Sequence, residues 1–374
     1  MTNGQMPKFF APILLNNRFP ALHGLRVLAM LAIIFFHTVR FHWRVAYGAW
    51  FAMDAFFVLS GFLIGHILLH AANLSGRSVA RFYWRRAFRI FPAYYFVLGG
   101  AALVIGRVAP DRLSDIWGEL LFLTNYRMTD RHLMNWAWSL CVEEHFYVLC
   151  PFVLVLLKKV ESHQYRLGLL FLLWLSAIVA RIATFRAIAP PLDVIKFDHE
   201  LYVLTHCRYD ELVAGIMAAY LNYNFSARLV RFFAPRKVQW MALGVISLCA
   251  VTLFFLPIVF TTDNPQLIFA AAIFFPTVAS IFYGVGILYL VSREGPTSRF
   301  LGHPSFLLIA SISYPVYLVH LYVYEHLIPR LHFAGTAGPF GVELGFLFTV
   351  IISVTIAYGI HIFLEKPLLN FRDR

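Results

Sequence analysis

The sequence is poor in charged residues and cysteines for its length. Asp, Glu, Lys and Arg make up 13% of the 374 residues, whereas a soluble domain carries about 25%. The four cysteines mostly lie in apolar runs and lack the spacing of metal ligands. We therefore expect neither a disulfide framework nor a metal site. No long apolar segment with a cleavage-like site precedes residue 22, so we expect no removable signal peptide.

Apolar residues dominate instead, at 60% of the chain with 17% aromatic. About twenty mainly apolar residues are needed to cross a bilayer. This window predicts ten spans, near 21–41, 50–72, 90–108, 139–157, 167–186, 205–223, 239–260, 267–291, 306–328 and 341–364. The predicted fold is an all-α, polytopic membrane protein. It forms one domain over residues 1–374, with no fused periplasmic domain.

The positive net charge of +12 favours a membrane surface as partner over nucleic acid. If the N-terminus is cytoplasmic, 19 basic residues fall on that side of the predicted spans and 9 on the other. Cytoplasmic loops of membrane proteins carry such an excess. We therefore expect both termini in the cytoplasm and contacts between basic loops and membrane lipid.

Two ionisable residues border an apolar run within the first predicted span. Arg26 and His37 are eleven residues apart in HGLRVLAMLAIIFFH. On an α-helix this separation is about three turns, or roughly 16 Å, so both side chains share one face. Ionisable groups inside a bilayer are costly and usually serve a function. We interpret the pair as part of a site.

Further ionisable residues gather at the outer ends of three other predicted spans. They belong to FAMDAFFVLSGFLI, WSLCVEEHFY and HCRYDE, and include Asp54, Glu143, Glu144 and Arg208. Four helices that are distant in sequence thus bring polar groups to one depth. A shared polar chamber near the outer face is the simplest interpretation.

A cluster of arginines marks the predicted cytoplasmic side, just before the third span. RFYWRRAFRIFPAYYF contains Arg85, Arg86 and Arg89, and Pro92 is expected to start the helix. Guanidinium groups suit phosphate because they bind it with paired hydrogen bonds. Anchoring to anionic lipid is the alternative use of these arginines, and the sequence leaves both open.

Several motifs together resemble acyltransferase family 3, a group of bacterial integral-membrane enzymes that acylate surface and secreted glycans. They are the Arg26–His37 spacing, MDAFFVLSGFLI, RRAFRIFPAYY, WSLCVEEHFY, RYDELVAGIMAAYL, SISYPVYLVH and the terminal EKP. They occur in order over six of the ten predicted helices. The chain departs from the commoner pattern at His23, Cys141, His145 and Pro315. These departures concern the contacts to the acceptor more than the reaction.

The resemblance implies acyl-CoA, usually acetyl-CoA, as donor and a sugar hydroxyl as acceptor. The acceptor would be a polysaccharide or lipid-linked oligosaccharide outside the cytoplasm, and the enzyme would lie in the bacterial inner membrane. Arg26, Arg85, Arg86 and Arg89 are then expected to bind the anionic donor. Its pantetheine arm is comparable in length to the separation of Arg26 and His37. We therefore hypothesise that the arm follows this helix face to the outer chamber.

For acyl transfer, His37 is the expected general base because imidazole titrates near neutral pH. Asp54 or Glu144 would orient the imidazole, and the sequence does not separate them. Ser60, Tyr147 or Arg208 would donate hydrogen bonds to the oxyanion. Close helix packing is the equally weighted alternative for Ser60.

Other assignments are left open between function and structure. Glu143 would pair with Arg208 while Glu144 faces the site, or the reverse. His320 is expected to have a structural or proton-handling role. Trp138, with Trp136 and His132, would stack on a sugar or form an interfacial belt.

Two alternative functions are also compatible with the sequence. Some members of the resembling family use a succinyl donor, whose carboxylate Arg208 would accommodate. A proton-coupled transporter would also place Arg, Asp, Glu and His inside the membrane. The absence of an inverted repeat argues against the transporter. The sequence does not decide whether the protein forms a homodimer.

Overall fold

The computed structural model describes residues 19–40, 42, 44–71, 75–127, 132–188, 194–259, 264–329 and 341–372. Within these ranges the chain is helical and contains no β-strand. The long helices are α1 Pro20–Val39, α2 Ala52–His70, α3 Gly76–Ile105, α4 Trp138–Lys158, α5 His163–Ala187, α6 Thr205–Phe233, α7 Arg236–Val259, α8 Pro265–Ser292, α9 Pro304–Tyr322 and α10 Gly341–Ile360. Each of them overlaps one predicted span, which confirms the all-α prediction.

Nine of these helices are long and apolar enough to cross a membrane, counted over the described ranges. The exception is α6, which carries Arg208, Asp210 and Glu211 near its start and buries all three. The chain is therefore a multi-pass membrane protein. Residues 1–18, 373 and 374 lie outside the described residues, so the cytoplasmic position of both termini stays a prediction.

The helix α3 begins about fourteen residues earlier than hydropathy predicted. Its N-cap is Ser75, whose side-chain oxygen accepts a hydrogen bond from the Ser78 N–H at 3.5 Å. The arginine cluster consequently lies within the helix, and Pro92 lies in its interior rather than at its start. The prediction was wrong because hydropathy detects only the lipid-crossing part of a helix, whereas arginine itself favours helix.

The central helix of the bundle is α6, which packs against α2, α5 and α8. Small residues bring α2 and α6 into close contact. A Cβ atom on Gly61 would overlap the carbonyl oxygen of Leu212, and one on Gly215 would overlap that of Val58. Glycine at these positions lets the two backbones touch, as in other membrane helix pairs.

Buried ion pairs fix α6 to its neighbours. Arg181 of α5 binds Asp210 through two hydrogen bonds, of 2.9 and 2.8 Å. Arg208 pairs with Asp54 of α2 and lies 2.8 Å from Glu211. All of these side chains are 0% exposed. Removing one partner from such a pair leaves an uncompensated charge, which costs about 3–5 kcal/mol.

The close contact of α2 and α6 predicts that Gly61→Ala destabilises the protein. The added methyl group forces the helices apart, and overpacking of this kind costs about 1–3 kcal/mol. Gly99→Ala is the matched control, because a Cβ atom there meets nothing within 4 Å. Thermal unfolding of the purified variants, followed by fluorescence-detected gel filtration, measures the difference. Equal melting temperatures for the two variants would contradict the packing.

Candidate active site

A cavity of about 700 Å³ lies at the C-terminal end of α1 and has His37 in its wall. We call it the histidine chamber. Its aromatic lining residues are Phe36, Tyr47, Trp50, Trp136, Trp138, Tyr317, Tyr322 and Tyr324, and its charged ones are Arg40, Arg112, Asp198 and Glu325. This volume is typical of small-molecule sites, and the lining suits a ligand with both apolar faces and polar groups.

His37 lies in the last turn of α1 and faces a second imidazole. The ring centroids of His37 and His320 are 5.4 Å apart. In the described part of the chain, no carboxylate lies within 4.0 Å of the His37 ring nitrogens. His37 lines the chamber, whereas His320 is buried next to it and is not among the lining residues.

A smaller cavity of about 120 Å³ lies toward the start of α1 and contains three arginines. We call it the arginine chamber. Its polar lining residues are Arg26, Ser60, Arg86, Arg89, Ser139, Glu143, Tyr147, Ser313, Tyr314 and Tyr317. Arg26 and His37 lie on one uninterrupted helix, about 16 Å apart along its axis. The arginine chamber therefore lies beside the first part of α1, and the histidine chamber lies beside its end.

The two chambers adjoin at Met53 and Tyr317, which line both. The Tyr317 hydroxyl donates to the carbonyl oxygen of Trp136. It also lies 2.7 Å from the Ser139 hydroxyl. Tyr317 is thereby held between the chambers by hydrogen bonds to the start of α4.

The carboxylate in the arginine chamber is fixed by two hydroxyl groups. Ser60 donates to one oxygen of Glu143 and Tyr147 to the other, each at 2.7 Å. Arg86 stacks over the Tyr147 ring at 4.6 Å. Glu143 is therefore held within the wall by neighbouring side chains.

Positive charge remains in excess in the arginine chamber. Arg89 lies 3.7 Å from Glu365 and donates to the Ser311 carbonyl oxygen at 3.1 Å. Arg26 and Arg86 have no carboxylate within 4.0 Å among the described residues. Two guanidinium groups of this kind form a site for an anion.

A sequence profile described as an acyltransferase domain matches residues 19–359. The chain belongs to the acyltransferase 3 family. Family membership confirms the resemblance that the motifs indicated.

Relatives of this acyltransferase 3 chain carry names that refer to O-acetyl transfer. A "Putative O-acetyltransferase" of Staphylococcus aureus is 28% identical over 323 residues, or 81% of this chain and 50% of the relative. The "Peptidoglycan O-acetyltransferase OatA" of Listeria monocytogenes is 25% identical over 328 residues, or 80% of this chain and 48% of the relative. The chain thus spans about half the length of these curated relatives. No solved structure matches it.

Most of the predicted site residues of this acyltransferase 3 chain line one of the two chambers. His37 and Trp138 line the histidine chamber, as do Trp136 and His132. The arginine chamber contains Arg26, Ser60, Arg86, Arg89, Glu143 and Tyr147. The motifs thus include residues of both chambers, and their assignment as site residues stays a prediction.

Asp54 and Arg208 are not placed as predicted. They pair with each other in a sealed cluster with Glu211 and line neither chamber. Asp54 therefore neither orients His37 nor faces a ligand in this structure. Arg208 likewise pairs with neither Glu143 nor Glu144. These pairings join helices that are distant in sequence, so motif spacing does not reveal them.

Glu144 and Arg85 also lie away from the chambers. Glu144 has a buried oxygen without a hydrogen-bond partner, and its side chain lines neither cavity. Arg85 is exposed on α3 and lines neither cavity. The predicted roles of Glu144 in orienting His37 and of Arg85 in the donor site are therefore not supported by their positions.

Sequence reasoning did not single out Met53 or Tyr317, which separate the chambers. Tyr317 stands three residues before His320 in SISYPVYLVH and hence on the same helix face. This three-residue spacing from His320 is the sequence signal that could have identified Tyr317.

Sequence reasoning also missed Glu119, whose side chain binds the backbone between Leu133 and Asn135 in the lining of the histidine chamber. One of its oxygens accepts a hydrogen bond from the Met134 N–H at 2.6 Å. Burial raises the pKa of Glu119 to about 7.

Proposed function

We propose that the protein is a membrane O-acetyltransferase. It moves an acetyl group from cytoplasmic acetyl-CoA to a hydroxyl of an exported polysaccharide or lipid-linked oligosaccharide on the periplasmic side of the bacterial inner membrane. The observation that carries the proposal is that Arg26 and His37, on one helix, line adjoining chambers of different chemistry. Membership of an acyltransferase family favours this function over proton-coupled transport.

The arginine chamber supports an anionic donor. Arg26 and Arg86 offer guanidinium groups that have no carboxylate partner in the described residues, as a phosphorylated ligand requires. A volume of about 120 Å³ suits a linear arm and not a nucleotide. The adenosine of CoA would therefore stay at the cytoplasmic surface, its phosphates would bind Arg26 and Arg86, and the pantetheine arm would continue into the bundle.

The junction at Met53 and Tyr317 sets the route of the thioester. Because both side chains line both chambers, the acyl end of the donor passes between them to reach His37. The thioether of Met53 is flexible and adapts to such a passage. A junction of this kind admits the acyl group and retains the nucleotide.

At the far end of the route, His37 acts as general base. It takes the proton from the acceptor hydroxyl while the oxygen attacks the thioester carbonyl. The tetrahedral intermediate then collapses, the carbon–sulfur bond breaks, and the CoA thiolate takes the proton from His37. The products are an acetyl ester and free CoA.

The acceptor is placed in the histidine chamber. Its aromatic walls and the charged groups Arg40, Arg112, Asp198 and Glu325 suit a polyhydroxylated ligand. A relative named as a peptidoglycan O-acetyltransferase supports a glycan as acceptor. Acetyl is favoured over succinyl because Arg208, expected to bind a succinyl carboxylate, is already paired with Asp54 and Glu211.

We predict that His37→Ala abolishes transfer of label from radiolabelled acetyl-CoA to the membrane glycan fraction. The loss of a general base lowers such rates by about 10²–10⁴-fold. His42→Ala is the control, since His42 is exposed and lines neither chamber. Immunoblots should show equal amounts of both variants in the membrane. Near-normal labelling by His37→Ala would refute the assignment.

We also predict that Arg86→Gln raises the KM for acetyl-CoA by about 10-fold to 100-fold. Hydrogen bonds to charged groups contribute about 1.5–3 kcal/mol, and each 1.4 kcal/mol is about tenfold in affinity. Arg85→Gln removes the same charge from the adjacent residue, which lies outside the chamber, and should change KM less than about threefold. Equal effects of the two substitutions would point to general surface charge and against a donor site in the arginine chamber.

A further inference from the structure

Among the described residues, His37 has no carboxylate within 4.0 Å of its ring nitrogens, although a catalytic histidine often has such a partner. Asp54 is paired with Arg208, and Glu144 lines neither chamber. The ionisable group that faces His37 is instead the imidazole of His320, with 5.4 Å between ring centroids and 51° between ring planes. A histidine therefore occupies the place expected for the orienting residue.

The hydrogen bonds of His320 determine which of its nitrogens carries the proton. Nδ1 lies 2.6 Å from the carbonyl oxygen of Tyr317. A carbonyl oxygen only accepts hydrogen bonds, so Nδ1 is the protonated nitrogen of the neutral ring. Nε2 then carries a lone pair and is an acceptor.

That acceptor is buried and has no hydrogen-bond partner among the described residues. His320 is 1% exposed, and its Nε2 is enclosed without a donor. Leaving a buried polar atom unpaired is costly, and such atoms in native structures frequently mark a functional role. A donor supplied during the reaction would satisfy it.

We propose that His320 is the positioning residue of His37. Its Nε2 accepts a hydrogen bond from a ring N–H of His37, directly or through one water molecule. This bond turns the other nitrogen of His37 toward the acceptor hydroxyl and stabilises the imidazolium that forms when His37 takes the proton. The proton stays on His37 until the CoA thiolate removes it.

Tyr317 links this positioning to the junction between the chambers. Its carbonyl oxygen fixes the His320 tautomer, while its side chain lines both cavities. The same turn of α9 therefore sets the acceptor nitrogen of His320 and borders the route of the thioester. The proposal rests on the proposed acyl transfer.

Two substitutions distinguish this role from a structural one. In His320→Asn the amide N–H replaces Nδ1–H and preserves the bond to the Tyr317 carbonyl, but the Nε2 acceptor is lost. In His320→Gln the longer side chain places an amide oxygen near the position of Nε2 and preserves the acceptor. A purely structural role through Tyr317 would favour Asn, whereas the proposed role favours Gln.

The experiment measures kcat and KM for radiolabelled acetyl-CoA, with membrane-extracted glycan as acceptor, for wild type and both variants. His320→Asn should lose about 100-fold in kcat with an unchanged KM for the donor. His320→Gln should recover kcat to within about tenfold of wild type. Thermal unfolding of both variants should match that of the wild type.

Three outcomes would overturn the proposal. Wild-type kcat in His320→Asn would show that the acceptor is not needed. Equal loss in both variants, or a larger loss in His320→Gln than in His320→Asn, would assign His320 to the scaffold alone. A wild-type protein that transfers no label would refute the acyl transfer itself and the role of His320 with it, whereas the first two outcomes would leave acyl transfer intact.

Discussion

The structure depends on the constraint that charged groups inside an apolar helix bundle must be paired or must face a cavity. Two clusters meet this constraint by pairing. Arg181 with Asp210, and Arg208 with Asp54 and Glu211, are sealed between helices. They fix α6 against α2 and α5 and line neither chamber. His37 and Arg26 of α1, Arg86 and Arg89 of α3 and Glu143 of α4 line the two chambers instead.

This division between sealed and open polar groups separates scaffold from site. Arg26 and Arg86 keep guanidinium groups without carboxylate partners in the described residues, and His320 keeps a buried lone pair. Each of these features leaves bonding capacity for a ligand or for a step in the reaction. Helix α1 connects the two chambers, because Arg26 near its start lines one chamber and His37 in its last turn lines the other.

The fold, His37 and the charged residues of the arginine chamber were predictable from the sequence. Apolar length identifies helices that must cross lipid, and helical spacing places Arg26 and His37 on one face. Pairing between helices was not predictable, because Asp54 and Arg208 are 154 residues apart. Whether Glu143 or Glu144 faces the arginine chamber likewise depends on the rotation of α4 about its axis, which directs Glu143 toward Ser60. The start of α3 was missed because its first turns lie beyond the apolar window.

The most direct test of transport of the acyl group through the bundle is a sidedness measurement in vesicles that contain the protein in one orientation. Acetyl-CoA is supplied only on the side of the arginine chamber, and the extracted glycan only on the side of the histidine chamber. We expect acetyl ester on the glycan, with all released CoA remaining on the donor side. Acetylation that requires donor and acceptor on the same side would contradict a route from Arg26 to His37.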